Sequence, residues 1–312
     1  MKAIRVGQFG PPSVMEYCEC EAPVPKSEEI LVKVAAAAVN PIDYKIREGS
    51  HLLCPSMELP TGIGFDFSGV VIACGSDVTN KNIGDHVIGI AGFPLSACAY
   101  QEQLTIAADA CVKVDSDLNL TALAGLPLAG LTAWQAVHTV GHLKAGQGVL
   151  IHAAAGGVGS FAVQLARAIG AEVIVTASKE KHAMLQDLGA DQCIDYRATA
   201  FQTQIADVDL VIDLMGGQVG IDSLATLKPD GLLVTVPSMT KDAVLAAAEE
   251  SGIQGEFFLM QYDLEILTRL VKMVGAKELK IMIAAELPLK QAALAHQMIE
   301  DGHTSGKLLL VP

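Results

Sequence analysis

The sequence predicts a two-domain α/β protein: a β-rich domain followed by a doubly wound parallel-sheet domain. Three observations predict it. Short apolar runs dominate the first third, where helical pattern is sparse. Strands and helices alternate from about Thr121 to about residue 260. A glycine-rich turn joins the first strand of that second region to its first helix.

Met1-Lys2-Ala3-Ile4-Arg5-Val6 reads as a first strand, since it carries no long apolar run and no cleavage site. Ile30–Val34, Val70–Ala73 and His86–Ile90 follow as strands, each beside Gly or Asp turn residues. In the second region Val149–Ala153 is a buried strand and Val158–Ile169 an apolar helix closed by Gly170. Glu172–Thr176 is the next strand, and Lys181–Leu188 is a helix closed by Gly189. Asp209–Asp213 and Gly231–Val236 are further strands, and Leu264–Val274 a helix. Phe257–Met260 is strand-like, and its Phe257 and Phe258 read either as a border of the functional site or as a dimer edge. The final strand, Gly306–Val311, has no partner in the parallel sheet and is expected to return to the first domain.

Composition narrows the function. Of 312 residues, 51% are hydrophobic, enough for a large core, yet no run of about 18 apolar residues marks a membrane span. A soluble cytoplasmic protein is the default expectation. The net charge of −14 argues against nucleic-acid or anionic-membrane partners, which need basic surface. An anionic cofactor remains possible where lysines are placed locally. The seven cysteines are scattered and odd in number, with no CxxC pair, so a disulfide framework is not expected.

The turn Ala153-Ala154-Ala155-Gly156-Gly157-Val158-Gly159 is a dinucleotide pattern with Ala154 in place of the first glycine. Gly156 lets the backbone approach a pyrophosphate, and Gly159 allows close packing of helix on strand. The helix start supplies free N–H groups to the phosphates, so Ala155, Gly156, Gly157, Val158 and Gly159 are cofactor candidates. An NAD site carries an acid at the end of the second strand. Here that stretch is Thr176-Ala177-Ser178-Lys179-Glu180-Lys181. Ser178, Lys179 and Lys181 suit a 2′-phosphate, which a carboxylate would repel. Glu180 is expected to point away. The cofactor is read as NADPH.

With these motifs in view, the whole chain resembles the medium-chain dehydrogenase/reductase superfamily, in its zinc-free quinone oxidoreductase-like branch. The carriers are Val39–Lys45, Gly64–Val71, Asn82–Val87, Leu126–Trp134, the Ala153–Gly159 turn and Gly306-Lys307. Thr176-Ala177-Ser178-x-x-Lys181 is similar to the NADPH-using members, including the alkenal/one oxidoreductases. The resemblance implies a GroES-like β-rich catalytic domain over residues 1–120, completed by 275–312. It implies a Rossmann domain over 121–274, and a homodimer.

Zinc members of the superfamily place Cys near position 40 and His-Glu at 65 and 66. This chain has Asn40, Phe65 and Asp66 there, and no ligand in Leu126–Gly130. Tetrahedral zinc needs three protein ligands, so a metal is not expected. Without a Lewis acid, the suitable hydride acceptors are already conjugated: quinones and α,β-unsaturated carbonyls.

By resemblance, Asn40 and Thr132 lie near the nicotinamide and its ribose, and Tyr44 is the candidate donor to the substrate oxygen. Tyr196 is expected to pack near the adenosine phosphate, Met215-Gly216-Gly217 to cover the adenine ribose and Val236 to end a strand at the cofactor face, and Lys307 either reaches the cofactor or is exposed. Asp43 and Lys45 read as a surface pair. Two other readings stay open: a zinc-type alcohol dehydrogenase, which the missing ligands disfavour, and an NADPH-binding sensor with little turnover. The loops His51–Met57 and Ala91–Ala97 are expected to shape the pocket.

Overall fold

A computed structural model of the chain describes residues 1–51, 54, 58–93 and 98–312. The chain forms two compact units, Met1–Ala129 with Tyr262–Pro312, and Gly130–Gln261. Parts of both pocket-shaping loops expected above lie outside the described residues.

The first unit opens with β1 (Lys2–Val6), β2 (Met15–Glu19), β3 (Glu29–Val39), β4 (Thr61–Gly62), β5 (Asp66–Cys74), β6 (His86–Ile90), β7 (Gln103–Ala107) and β8 (Cys111–Val114). β1 pairs antiparallel with β2 and β4 in a small sheet. β3 is the spine of the larger one, antiparallel to both β5 and β7. Its first half alternates, with Ile30, Val32 and Val34 buried and Lys33 exposed. Ala36–Val39 are all buried, as small residues allow where both faces are covered. Helix α1 (Pro41–Glu48) follows at once: Pro41 has the fixed φ that suits a helix start, and Gly49 closes it at φ 89°. Helices α2 (Leu120–Leu123) and α3 (Pro127–Trp134) come next, and α3 carries the border to the second unit.

The second unit alternates β9 (Gly148–Ile151), α4 (Gly157–Ile169), β10 (Glu172–Thr176), α5 (His182–Leu188), β11 (Gln192–Ile194), β12 (Val208–Asp213), α6 (Gly217–Ser223), β13 (Leu227–Thr235), α7 (Lys241–Glu250) and β14 (Gln254–Phe257). All six strands are parallel, in the order β11-β10-β9-β12-β13-β14. The order reverses between β9 and β12, which is the switch point at which doubly wound sheets bind ligands. The apolar strand faces form a core around Leu150, Ile174, Val211 and Leu233.

The chain then returns to the first unit through α8 (Leu264–Gly275), β15 (Ile283–Pro288), α9 (Ala292–Glu300) and β16 (Lys307–Val311). β16 pairs antiparallel with β3 and parallel with β15, so the strand without a partner in the parallel sheet finds one in the β-rich unit.

The unit borders differ from the expected 120/121 and 274/275. They fall at 129/130 and 261/262. The reason for the second shift is that Tyr262 already belongs to the first unit, where its hydroxyl donates to the Ala110 carbonyl at 2.8 Å. Residue 261 is held in the second unit by Gln135, whose side chain both donates to the Gln261 carbonyl and accepts from its N–H. No helix among the described residues is long and apolar enough to cross a membrane.

Candidate functional site

In the second unit the residues read as cofactor-binding gather at the carboxyl ends of the parallel strands. β9 ends at Ile151, and Ala153 turns the chain with φ 47°, a conformation costly for a residue with a side chain. Gly156 N–H then donates to the Ala153 carbonyl at 2.9 Å. A Cβ on Gly159 would run into that same carbonyl and the Ala154 backbone, so helix and turn meet at a distance only glycine permits. Ala155, Gly156, Gly157 and Val158 form the turn and the first residues of the 13-residue helix α4. Its free N–H groups and positive dipole end favour a phosphate there.

Ser178 follows β10 and is buried, while Lys179 and Lys181 stand on a single 3₁₀ turn after it. Tyr196 follows β11, Met215 follows β12, and both are more than half exposed. Val236 follows β13 and donates its N–H to the Asp213 carbonyl. Thr132 is buried on α3.

Glu180 does not point away. Its carboxyl is held below its usual pKa range by its own N–H and by the Ser178 hydroxyl, and Arg197 stands 3.9 Å from it. The reason is local: the short turn returns the side chain to the strand end, where cations attract it. Arg197 also acts electrostatically on Lys181, so three cationic side chains and Ser178 share this strand end. The sequence reading passed over Arg197, although it directly follows Tyr196.

In the first unit Asn40 and Lys307 come together. Asn40 directly follows β3 and Lys307 begins β16, two strands that pair. The Lys307 ammonium donates to Asn40 Oδ1 and lies 3.5 Å from Asp66 Oδ2. Asn40 Nδ2 donates to Asp66 Oδ2 at 2.9 Å, and Asp66 Oδ1 accepts from Leu128 N–H at 2.8 Å. An ammonium only donates and a carboxylate only accepts, so the amide orientation of Asn40 is fixed. All three side chains are buried. Lys307 is therefore not exposed. Burial pushes its pKa down, and the carboxylates Asp66 and Asp43 oppose that shift.

Asp43 is no surface partner of Lys45. It is fully buried, and its Oδ2 accepts from Asn40 N–H at 2.8 Å and from the Tyr100 hydroxyl at 2.9 Å. It lies on the first turn of α1, which turns it inward beneath Asn40. Burial raises its pKa to about 7. His296 Nε2 lies 3.4 Å from the same hydroxyl, and burial lowers that imidazole to about 3. Tyr44, one position on, is half-buried and is acted on by Glu48, Glu300 and Arg47. The signal that could have found Asp66 and Lys307 as a pair was present: each is a charged residue inside an apolar strand, and such charges need partners.

This arrangement, a dinucleotide turn at the switch point of one unit and a β-rich unit completed by the C-terminal strand, defines a nicotinamide-dependent dehydrogenase architecture. The comparisons agree. Residues 26–140 match the alcohol dehydrogenase GroES-like domain, and residues 188–310 match the zinc-binding dehydrogenase family. The pig (Sus scrofa) quinone oxidoreductase is 30% identical over 327 residues, covering 100% of this chain and 98% of the relative. The structure of a quinone oxidoreductase from Coxiella burnetii has a TM-score of 0.96 at 45% identity, covering 100% of this chain and 99% of that one. The Escherichia coli quinone oxidoreductase complexed with NADPH has a TM-score of 0.89 at 29% identity, with full coverage of both chains. The chain belongs to the medium-chain dehydrogenase/reductase superfamily, in its quinone oxidoreductase-like branch.

Proposed function

We propose that the chain is a zinc-independent, NADPH-dependent oxidoreductase that reduces quinones and α,β-unsaturated carbonyls. One observation carries the reading: the Gly156–Gly159 turn at the switch point, with Ser178, Lys181 and Arg197 at the neighbouring strand end. The turn offers N–H groups for a pyrophosphate. The strand end offers a hydroxyl and cations for a 2′-phosphate, where an NAD site would carry an acid. Ala155, Gly157, Val158, Lys179, Tyr196, Met215 and Val236 complete the proposed cofactor surface.

When bound, NADPH would supply a hydride, two electrons with one proton, to a conjugated acceptor. A second proton from solvent or a side chain then balances the product as a hydroquinone or a saturated carbonyl. Asn40 presents an amide of fixed orientation in the first unit, and Thr132 is proposed by family resemblance as a cofactor-binding residue of the second. Tyr44 is the proposed donor to the substrate oxygen. Burial and the neighbouring acids raise its pKa, so at neutral pH it keeps the proton it would donate.

Zinc does not fit the residues present. At the positions where zinc members differ from this chain, Asn40 and Asp66 already hold the Lys307 ammonium, and neither Phe65 nor Leu126–Gly130 offers a ligand. No group of three His, Cys, Asp or Glu side chains among the described residues could hold a metal. No step of the proposed reaction runs through one.

The test is NADPH oxidation across a panel of quinones, enals and enones, with NADPH affinity measured in parallel. Turnover with conjugated acceptors, and NADPH bound more tightly than NADH, are expected. Tight NADPH binding without turnover on any acceptor would instead favour a sensor. The same reading includes a homodimer, tested by sedimentation. β14 is the outer strand of its sheet among the described residues and offers an edge for a second copy.

A further inference from the structure

His152 stands between β9 and the dinucleotide turn, and is buried. Its Nδ1 lies 2.8 Å from Thr176 Oγ1, and its Nε2 lies 2.8 Å from Ser223 Oγ. The direction of both bonds follows from counting protons. Ser223 gives its only hydroxyl proton to the Val219 carbonyl at 2.6 Å, so it accepts from Nε2–H. Nδ1 then carries no proton and accepts from the Thr176 hydroxyl. The ring edge meets Phe201, with centroids 4.7 Å apart. The charge that acts on it is Asp213, whose carboxylate accepts from Met215 N–H, Gly216 N–H and the Thr235 hydroxyl. Burial lowers the imidazole to about 4, which keeps it neutral at physiological pH with both nitrogens in use.

The three elements joined this way each lead into one part of the proposed cofactor surface. His152 itself precedes the Ala153–Gly159 turn. Thr176 ends β10, two residues before Ser178. Ser223 ends α6, the helix that starts directly after Met215-Gly216. A plain apolar core residue at position 152 would fill the space without setting the relative heights of the three.

We infer that His152 is a positioning residue for dinucleotide recognition, locking the pyrophosphate turn, the 2′-phosphate strand end and the ribose-covering turn into one register through Thr176 and Ser223. The inference rests on the proposal that this unit holds NADPH. Its two arms act differently. The Thr176 arm leads to Ser178 and bears on NADPH against NADH. The Ser223 arm leads to a turn that both dinucleotides would meet.

The test uses isosteric variants of the full chain and reads dissociation constants for NADPH and NADH, with melting temperature alongside. Glutamine can place a donor near Nε2 but leaves Thr176 without an acceptor. Asparagine can place an acceptor near Nδ1 but leaves Ser223 without its donor. His152→Gln and Thr176→Val should each weaken NADPH by roughly tenfold, the size of one buried hydrogen bond, and NADH by clearly less. Their effects should not add in the double variant, because both cut the same arm. His152→Asn should weaken both dinucleotides alike. Thr176→Val changes little volume and keeps the question answerable should position 152 tolerate no substitution. Folded variants that bind both dinucleotides as wild type does would overturn the inference alone. Wild-type protein that bound neither would overturn the inference together with the functional proposal beneath it.

Discussion

Lys307 and Asp66 form an ion pair 3.5 Å apart inside the first unit, with side-chain exposures of 4% and 0%. Asn40 bridges them, its amide oxygen on the ammonium and its amide nitrogen on the carboxylate. Removing one member of such a pair leaves a bare charge in the core. Lys307→Met should therefore destabilise the protein by about 3–5 kcal/mol in denaturant unfolding. Lys307→Met/Asp66→Asn removes both charges and should regain most of that loss. In the double variant the Asn40 amide keeps only the 3.4 Å bond from Nδ2 to the Ala38 carbonyl, and its oxygen can turn toward the new amide at position 66. Stability should return without full kcat. A double variant as active as wild type would show that the orientation of Asn40 does not matter to the reaction.

Glu180 lies among the cations proposed to receive a 2′-phosphate. A carboxylate on Ser178 and near Arg197 competes with that phosphate for the same partners. Glu180→Gln should tighten NADPH by about fivefold at low salt, an effect that fades as salt screens exposed charges. NADH affinity should hardly move. Arg197→Ala should do the reverse, weakening NADPH and sparing NADH. Equal changes for both dinucleotides in titrations of either variant would place the 2′-phosphate elsewhere.

Much of this was legible in the sequence, for reasons that can be named. The parallel strands β9, β10, β12 and β13 were readable because they are continuous apolar runs, and Gly170 and Gly189 close their helices at φ 86° and 111° as expected. β14, Gln254–Phe257, was misplaced, since it shares only Phe257 with the apolar run expected as a strand. Helix α1 was not legible. It is only eight residues long, and its buried side includes Asp43 and Arg47, so it shows no apolar stripe. β11 has three residues and β8 four, too short for a period to register. At the site, the glycine turn could be read because its demand is local. For the Lys307–Asn40–Asp66 cluster only the need for partners was readable, from charges inside apolar strands; which partners they find was not, because β3, β5 and β16 meet only through pairing between distant segments. His152 looked like one of several scattered histidines, and only Thr176 and Ser223 give it a role.

The buried titratable groups set opposing limits on stability against pH. Asp43 has a folded pKa of about 7, raised from the usual carboxylate value. Its favourable contribution is complete below about pH 4 and is lost as pH rises through 7. His152 and His296 are lowered to about 4 and about 3. Their contributions are complete above about pH 6.5 and are lost as pH falls toward those values. Asp43→Asn keeps an acceptor for Asn40 N–H and Tyr100 but cannot ionise. The variant's melting temperature should fall less than that of wild type between pH 5.5 and 8. Parallel curves for the two proteins across that range would mean that Asp43 does not titrate there.

Gly159 is where sequence, backbone and proposed cofactor chemistry meet most tightly. The strand leaves Ile151, turns through the left-handed residue Ala153, and enters α4 with the Ala153 carbonyl facing position 159. The contact atoms are backbone, so no side chain can swing away to admit a methyl group. Gly159→Ala must push α4 off the turn or distort Ala153 further, at a cost of roughly 1–3 kcal/mol, as for overpacking in a core. The same displacement moves the first N–H groups of α4, which are proposed to hold the pyrophosphate. The prediction is a fall in NADPH and NADH affinity together, larger than the loss of stability alone accounts for at a temperature where the variant is fully folded. Gly156→Ala is the control. A Cβ there meets only the Ala153 carbonyl, at 3.2 Å, a contact that a shift of a few tenths of an ångström relieves, and φ −73° at Gly156 suits any residue, so its melting temperature should fall less than that of Gly159→Ala and any loss of affinity should appear in cofactor titration. If Gly159→Ala melted lower yet bound both dinucleotides with wild-type affinity, the close approach of helix and turn would be a packing requirement only.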